Sequence, residues 1–146
     1  MHVIEEDNMR LDFLNLPDEK MQEMEYALQR GEKDNGLAFT VLEKDHCEAV
    51  MPVLPEHLNL YDMVYGGCLF NLMDIVAGVA NICGGGLGPT VSGNIEYMSG
   101  TRGVKELRCI GLVRRAGRTF SYIDTEVVGD DGRLLCKGSF IYYNKP

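Results

Sequence analysis

No two cysteines in this sequence stand as a CxxC pair. The five, Cys47, Cys68, Cys83, Cys109 and Cys136, are odd in number, widely spaced and set among apolar neighbours. That argues against a disulfide framework or a zinc site and assigns the thiols to a core kept reduced in the cytoplasm. Basic residues are in deficit. The net charge of −8 argues against nucleic acid or an anionic membrane as the partner. A small anionic ligand stays open, because a local basic cluster can sit in an acidic protein. The acidic start, Met1 to Asp7, lacks the basic-then-apolar order of a signal peptide. Internal repeats, low-complexity tracts and interdomain linkers are absent too. His2, His46 and His57 form no metal-ligand spacing. What remains is a 146-residue chain, 45% hydrophobic and 25% charged. That is the length and balance of one domain with a real core.

Charge is scarcest between Gly66 and Ile82, where Asp74 is the one charged residue. Leu69, Phe70, Leu72, Met73, Ile75, Val76, Val79 and Ala80 fall on every side of a 3.6-residue wheel, which predicts a buried helix. An ionised carboxylate inside it is costly unless it is paired, hydrogen-bonded or hydrated. Asp74 is therefore a candidate functional residue. The alternative is a structural Asp bonded to backbone N–H groups or to a Tyr. The stretch is about long enough to be weighed as a membrane span, but Asp74, Asn71, Asn81 and several glycines argue against one.

Before this helix, Met1 to Asn15 reads as polar and loosely held. Pro17-Asp18-Glu19 opens a short helix whose stripe is Met21, Met24, Ala27 and Leu28, with Gly31 as its stop. From Gly36 the period changes to two. Leu37, Phe39 and Val41 share one face, and Cys47 to Val53 returns as the second strand of a hairpin. Pro52 and Pro55 lead into an irregular segment, Glu56 to Tyr65. Gly84-Gly85-Gly86 ends the long helix. Strands Thr90–Met98, Lys105–Arg115, Arg118–Val128 and Arg133–Tyr143 follow, turned at Gly117 and at Asp130-Asp131-Gly132, and are expected as a four-stranded meander. The expected class is α+β. A strongly curved antiparallel sheet of about six strands wraps around one long buried helix, with a short N-terminal helix added. Residues 1–36 form the N-terminal segment and residues 37–146 a single domain. Leu107, Cys109, Gly111 and Val113 share one face of their strand, and Glu106, Arg108, Ile110 and Leu112 the other. A face mixing charge with large apolar groups suits a subunit interface, so a homo-oligomer is expected.

Asn59, the run Tyr65-Gly66-Gly67, Leu72, Asp74, Ser92 and the turn Arg115-Ala116-Gly117-Arg118 occur in an order that resembles a known family. Over roughly Leu37 to Tyr143 the chain resembles the hotdog-fold acyl-CoA thioesterases of the phenylacetic-acid-degradation type, within the 4-hydroxybenzoyl-CoA thioesterase superfamily. One residue departs. The family usually has His at the place of Tyr65, where it commonly contacts the thioester region. Tyr can donate a hydrogen bond but cannot act as a base near neutral pH.

The resemblance implies hydrolysis of an acyl-CoA to a carboxylic acid and free CoA, with no metal and no cofactor beyond the CoA of the substrate. Gly66 and Gly67 would polarise the carbonyl with the free N–H groups of the helix start. Asp74 would activate water as a general base or attack directly as a nucleophile. It lies about two turns, roughly 10 Å, down the helix. That is too far to act on an oxygen held at the start of the same helix. Gly66 and Asn59 of one subunit would therefore face Asp74 of another, in a dimer or a dimer of dimers. Asn59 would position the thioester or the carboxylate, unless it only forms an Asx turn. Ser92 would hold the attacking water. Tyr65 would contact the thioester region, and Phe70, Asn71, Met73, Asn81, Tyr97 and Met98 are candidates for the acyl pocket. Arg102, Lys105, Arg114, Arg115 and Arg118 would hold the CoA phosphates as a cluster. Three other readings remain. Tyr65 motivates a non-catalytic acyl-CoA binding protein on the same fold. His57 with Asp74 suggests a hydratase or dehydratase. A purely structural oligomer leaves Asp74 unexplained.

Overall fold

The computed structural model describes residues 16–146. The segment Met1 to Asn15, read above as loosely held, lies outside them. Helix α1 spans Asp18–Asn35, with Pro17 at its cap and Asp18 and Glu19 in the first turn. It passes the expected stop at Gly31 and ends one turn later. Gly31 is a packing glycine: a Cβ there would touch Phe39, Leu37 and Ile75 at 3.6–3.8 Å. The terminator is Gly36, at φ 67°. The N–H groups of Gly36 and Leu37 close on the carbonyls of Glu32 and Gly31, both at 3.1 Å, as a left-handed cap requires.

Strands β1 (Ala38–Leu42) and β2 (His46–Pro52) form the expected hairpin. A bulge between Phe39 and Val41 shifts the inward position, so Leu42 is buried and Val41 only half-buried. Helix α2 (Gly66–Cys83) follows, then β3 (Thr90–Tyr97), β4 (Glu106–Ala116), β5 (Phe120–Gly129) and β6 (Leu134–Tyr143). The six strands form one antiparallel sheet in the order β1-β2-β4-β5-β6-β3.

The four-stranded meander is therefore corrected to three strands. β3 does not pair with β4 but lies at the far edge, beside β6. Tight turns at Gly117 and Asp131-Gly132 force neighbours to pair, but residues 98–105 are a longer link. That link crosses the opening end of α2, where Thr101 Oγ1 accepts the Val64 N–H at 2.7 Å.

The core is the space between α2 and the concave face of the sheet. Leu107, Cys109, Ile123, Val127, Cys136 and Phe140 point into it. The sheet comes close to the helix at glycines. A Cβ on Gly138 would stand 2.7 Å from Met73 Cε and 2.8 Å from Thr125 Oγ1, and one on Gly111 would stand 3.2 Å from Val76 Cγ1. Overpacking a filled core costs about 1–3 kcal/mol. Gly138→Ala is expected to lower stability by that amount in urea denaturation, and an unchanged midpoint would show that Met73 yields freely.

By length and composition α2 is apolar enough to cross a membrane, yet here it is the core helix. All five cysteines are free and buried. Burial pushes the thiols of Cys68 and Cys109 up and that of Cys136 up to about 12, so these three stay neutral. The outer face of the sheet carries cross-strand pairs, Arg108–Glu48, Arg114–Asp124 and Lys137–Glu126, with Ile110 and Leu112 half-buried among them.

Candidate active site

Helix α2 starts open. Tyr65 caps it in extended conformation, φ −68° and ψ 148°, and its carbonyl accepts the N–H groups of Cys68 at 3.0 Å and Leu69 at 3.4 Å. The N–H groups of Gly66 and Gly67 have no partner among the described residues. Two free donors at the positive end of a helix dipole make a site for developing negative charge. Gly66 is glycine for a local reason as well. Its carbonyl accepts the Tyr97 hydroxyl at 2.7 Å, and a Cβ would stand 2.8 Å from that oxygen. Beside this start, Met63, Leu69, Met98 and Thr101 line an open groove of about 370 Å³.

The loop before the helix is tied by Asn59. Its Oδ1 accepts the N–H groups of Tyr61 at 2.9 Å and Met63 at 3.2 Å. The Asx-turn role is thus realised, and the side-chain amide N–H groups are left without a partner among the described residues. Arg102 clamps the same loop, its Nε and a terminal nitrogen donating to the Tyr61 carbonyl at 3.2 and 3.0 Å. Tyr65 is exposed at the mouth of the helix.

Asp74 is half-buried rather than enclosed. One side of α2, carrying Asp74, Ile75 and Gly78, opens into a groove beneath α1. Asp74 Oδ1 accepts the hydroxyl of Thr90 at 2.8 Å and that of Tyr142 at 3.0 Å. The Tyr142 hydroxyl also lies 2.7 Å from the Asp74 backbone carbonyl. Oδ2 has no partner, and no lysine or arginine pairs with the carboxylate, among the described residues. Tyr142 is 4% exposed. Burial first, and then the charge of Asp74, push its phenol well above the ordinary range, so it remains a neutral donor. One oxygen of the carboxylate is therefore held while the other is free.

The sequence reading missed Thr90 and Tyr142. It named Ser92 for the attacking water; the hydroxyl of β3 that bonds Asp74 is that of Thr90, next to a bulge between Thr90 and Ser92. Ser92 is exposed on β3. No local pattern marks Tyr142, whose partner is 68 residues away. Tyr142→Phe removes a bond to an ionised group, worth about 1.5–3 kcal/mol. If Asp74 is reactive, kcat should fall roughly tenfold to a hundredfold with KM little changed. A wild-type kcat would remove Tyr142 from the site.

The remaining candidates separate. Phe70 is half-buried and packs on Phe140, ring centroids 5.4 Å apart. Asn71 is exposed and donates to Asn35 Oδ1 at 2.7 Å. Met73 is fully buried core, not pocket lining. Asn81 is corrected too. It is buried and donates to Asn144 Oδ1 at 3.2 Å, while Asn144 donates to Ser121 and to the Gly117 carbonyl. That network holds the end of α2. The single basic cluster is also divided. Arg102 and Lys105 precede β4, whereas Arg115 lies in its last residues and Arg118 just beyond, about 35 Å away for an extended strand of that length. Arg114 pairs with Asp124 at 2.8 Å. His57 sits in a 3-10 turn and its Nδ1 accepts the Leu54 N–H at 3.0 Å. Among the described residues no three His, Cys, Asp or Glu side chains converge as a metal site.

A family model described as the thioesterase superfamily matches residues 61–136. Among solved structures, a hypothetical thioesterase from Streptococcus pneumoniae TIGR4, determined with coenzyme A, is 25% identical at a TM-score of 0.76, covering 86% of this chain and 96% of that one. A Streptococcus mutans UA159 protein bound to acetyl-CoA is also 25% identical, at a TM-score of 0.72, covering 75% and 88%. The Escherichia coli PaaI protein of the phenylacetic acid degradation operon shares the fold at a TM-score of 0.78 and 18% identity, covering 88% and 100%. Two further structures of the pneumococcal protein carry alanine in place of an aspartate and of a threonine. No curated protein matches the chain.

Proposed function

This chain belongs to the thioesterase superfamily, and from that premise we propose that it hydrolyses an acyl-CoA to a carboxylic acid and free CoA in a site shared by two copies. One observation carries the reading. The free N–H groups of Gly66 and Gly67 and the free Oδ2 of Asp74 lie on one helix, on the order of 10 Å apart, so no single carbonyl meets both within one chain. A second copy resolves this if its helix start faces Asp74.

The surface supports such pairing. β3 is an edge strand, and an open edge is a template for another strand. Around it and the nearby loop, Leu60 is 96% exposed, and Tyr61, Val91, Tyr97 and Met98 are each more than half exposed. Joining two copies along β3 would cover these groups. The outer sheet face, where Ile110 and Leu112 sit among the charged pairs, then offers a contact for pairing dimers into a tetramer.

In this site the thioester carbonyl accepts the Gly66 and Gly67 N–H groups as charge develops on its oxygen. Asp74 Oδ2 takes a proton from water, whose oxygen adds to the acyl carbon, or Oδ2 adds itself and water later cleaves the mixed anhydride. Either way the C–S bond breaks and the sulfur leaves as the CoA thiolate. Thr90 and Tyr142 hold Oδ1 throughout. In the pneumococcal structures the altered aspartate and threonine are separated by the interval that separates Asp74 from Thr90, 16 residues. Asn59, with its free amide, would orient the thioester, and Ser92 would approach the water. Arg102 and Lys105 lie at the helix-start end and would receive phosphate. Arg115 and Arg118 would serve only across the assembled oligomer. Five free thiols fit a reducing cytoplasm. Release of free thiol from a panel of aryl- and fatty-acyl-CoAs tests the activity. Tight binding without release would favour the non-catalytic reading that Tyr65 motivates.

A further inference from the structure

Helix α1 runs antiparallel along α2. Asn35, at its end, bonds Asn71 near the start of α2, and Lys20, at its beginning, donates to the Gly85 carbonyl beyond the end of α2. Between the two helices lies a groove of about 350 Å³ that begins at Asp74. Its floor is Ile75, Gly78, Val79 and Ile82 of α2, and its roof is Ala27 and Gly31 of α1. Glu23, Arg30 and Lys145 also border it, so apolar walls are edged with charge. Gly31 and Gly78 add no side chain of their own, and Ile75 and Tyr142 pack against them.

We propose that this groove is the acyl channel, and that it takes a straight aliphatic acyl chain of medium length rather than an aromatic ring. The inference rests on Asp74 standing at the thioester carbon. From there the acyl group must leave the two-chain junction, and the groove leads away from the same carboxylate. From Asp74 to Ile82 the helix rises about 12 Å, the reach of a medium chain. The walls are aliphatic side chains and glycines. The one aromatic lining residue, Tyr142, has its hydroxyl on Asp74. Nothing in the passage offers the flat slot that a ring would fill. Ala27, carried by α1 over the middle of the groove, sets the clearance, and Leu87 closes its far end.

Non-hydrolysable alkyl-CoA thioethers test the channel without relying on turnover. Decyl-CoA should bind the full-length protein at least about a hundredfold more tightly than ethyl-CoA, the margin that burying only about half of the eight added methylenes would give. Ala27→Leu, a substitution favourable to a helix, should cut that margin to about twofold. Leu87→Phe should shorten the channel, removing the margin of decyl-CoA over butyl-CoA while that of butyl-CoA over ethyl-CoA persists. Equal affinity of the wild type for decyl- and ethyl-CoA, or a full margin surviving in both variants, overturns the channel. Thiol release from the corresponding acyl-CoAs is read separately. A chain-length margin in binding without any turnover defeats the hydrolase and leaves the channel standing.

Discussion

Asp74→Asn is expected to lower kcat for thiol release by about 10²- to 10⁴-fold, the range associated with a positioned acid or base. The change is nearly isosteric. The amide oxygen can still accept from Thr90 and Tyr142 at the Oδ1 position, so the end of the groove keeps its shape. What is lost is Oδ2, which becomes an NH₂ group that can neither take a proton from water nor attack a carbonyl. Binding of a thioether analogue should change little, because the charge that is removed pairs with no cation among the described residues. Equal rates for variant and wild type would remove Asp74 from the mechanism. The wild-type protein can establish the covalent route. A single turnover in ¹⁸O water puts label into the Asp74 carboxylate only if a mixed anhydride forms and water opens it at the aspartyl carbon. Label in the Asp74 carboxylate establishes the anhydride, whereas label confined to the product acid shows that water adds at the acyl carbon, either of the thioester or of the anhydride.

The second large effect is a restoration. Gly66→Val should be inactive as a pure protein, because its side chain occupies the space over the helix start and displaces the Tyr97 phenol. Tyr97 is 55% exposed in the single chain, so its ring can swing aside without unfolding the strand. Asp74→Asn should be inactive for the reason above. Refolded or co-expressed together, the two should recover roughly a quarter of wild-type activity. Random pairing makes half the dimers mixed, and each mixed dimer holds one intact site of two. That site takes Asp74 from the valine variant and Gly66 from the asparagine variant. If helix start and carboxylate served the same chain, no pairing would restore anything. Light scattering on each variant alone guards against a trivial loss of the dimer.

Much of this molecule was legible before its coordinates, for a reason visible in α2. A helix buried on most sides declares itself by apolar residues at every angle, and a charge inside it needs no alignment to stand out. The ends of elements were legible where backbone chemistry demanded a residue, as at Gly84-Gly85-Gly86 and Asp131-Gly132. They were misread where one residue type has two uses. Gly31 and Gly36 look alike in sequence, but only Gly36 has positive φ, while Gly31 makes room for Ile75. Thr90 was not singled out, because nothing in the local pattern of β3 says which of its hydroxyls reaches Asp74.

Periodicity records which face of an element avoids water, and composition records how thoroughly. Those two quantities determined the class, the core helix, the hairpins and Asp74, since each is written within a few turns of chain. Neither says what an element is buried against. The placing of β3 beside β6, the hydroxyls of Thr90 and Tyr142 on one carboxylate oxygen, 16 and 68 positions away, and the channel beneath α1 depend on contacts between residues far apart in the chain. The tertiary structure decided these, because contact energy depends on distance in space, and only the closed sheet brings those residues within it.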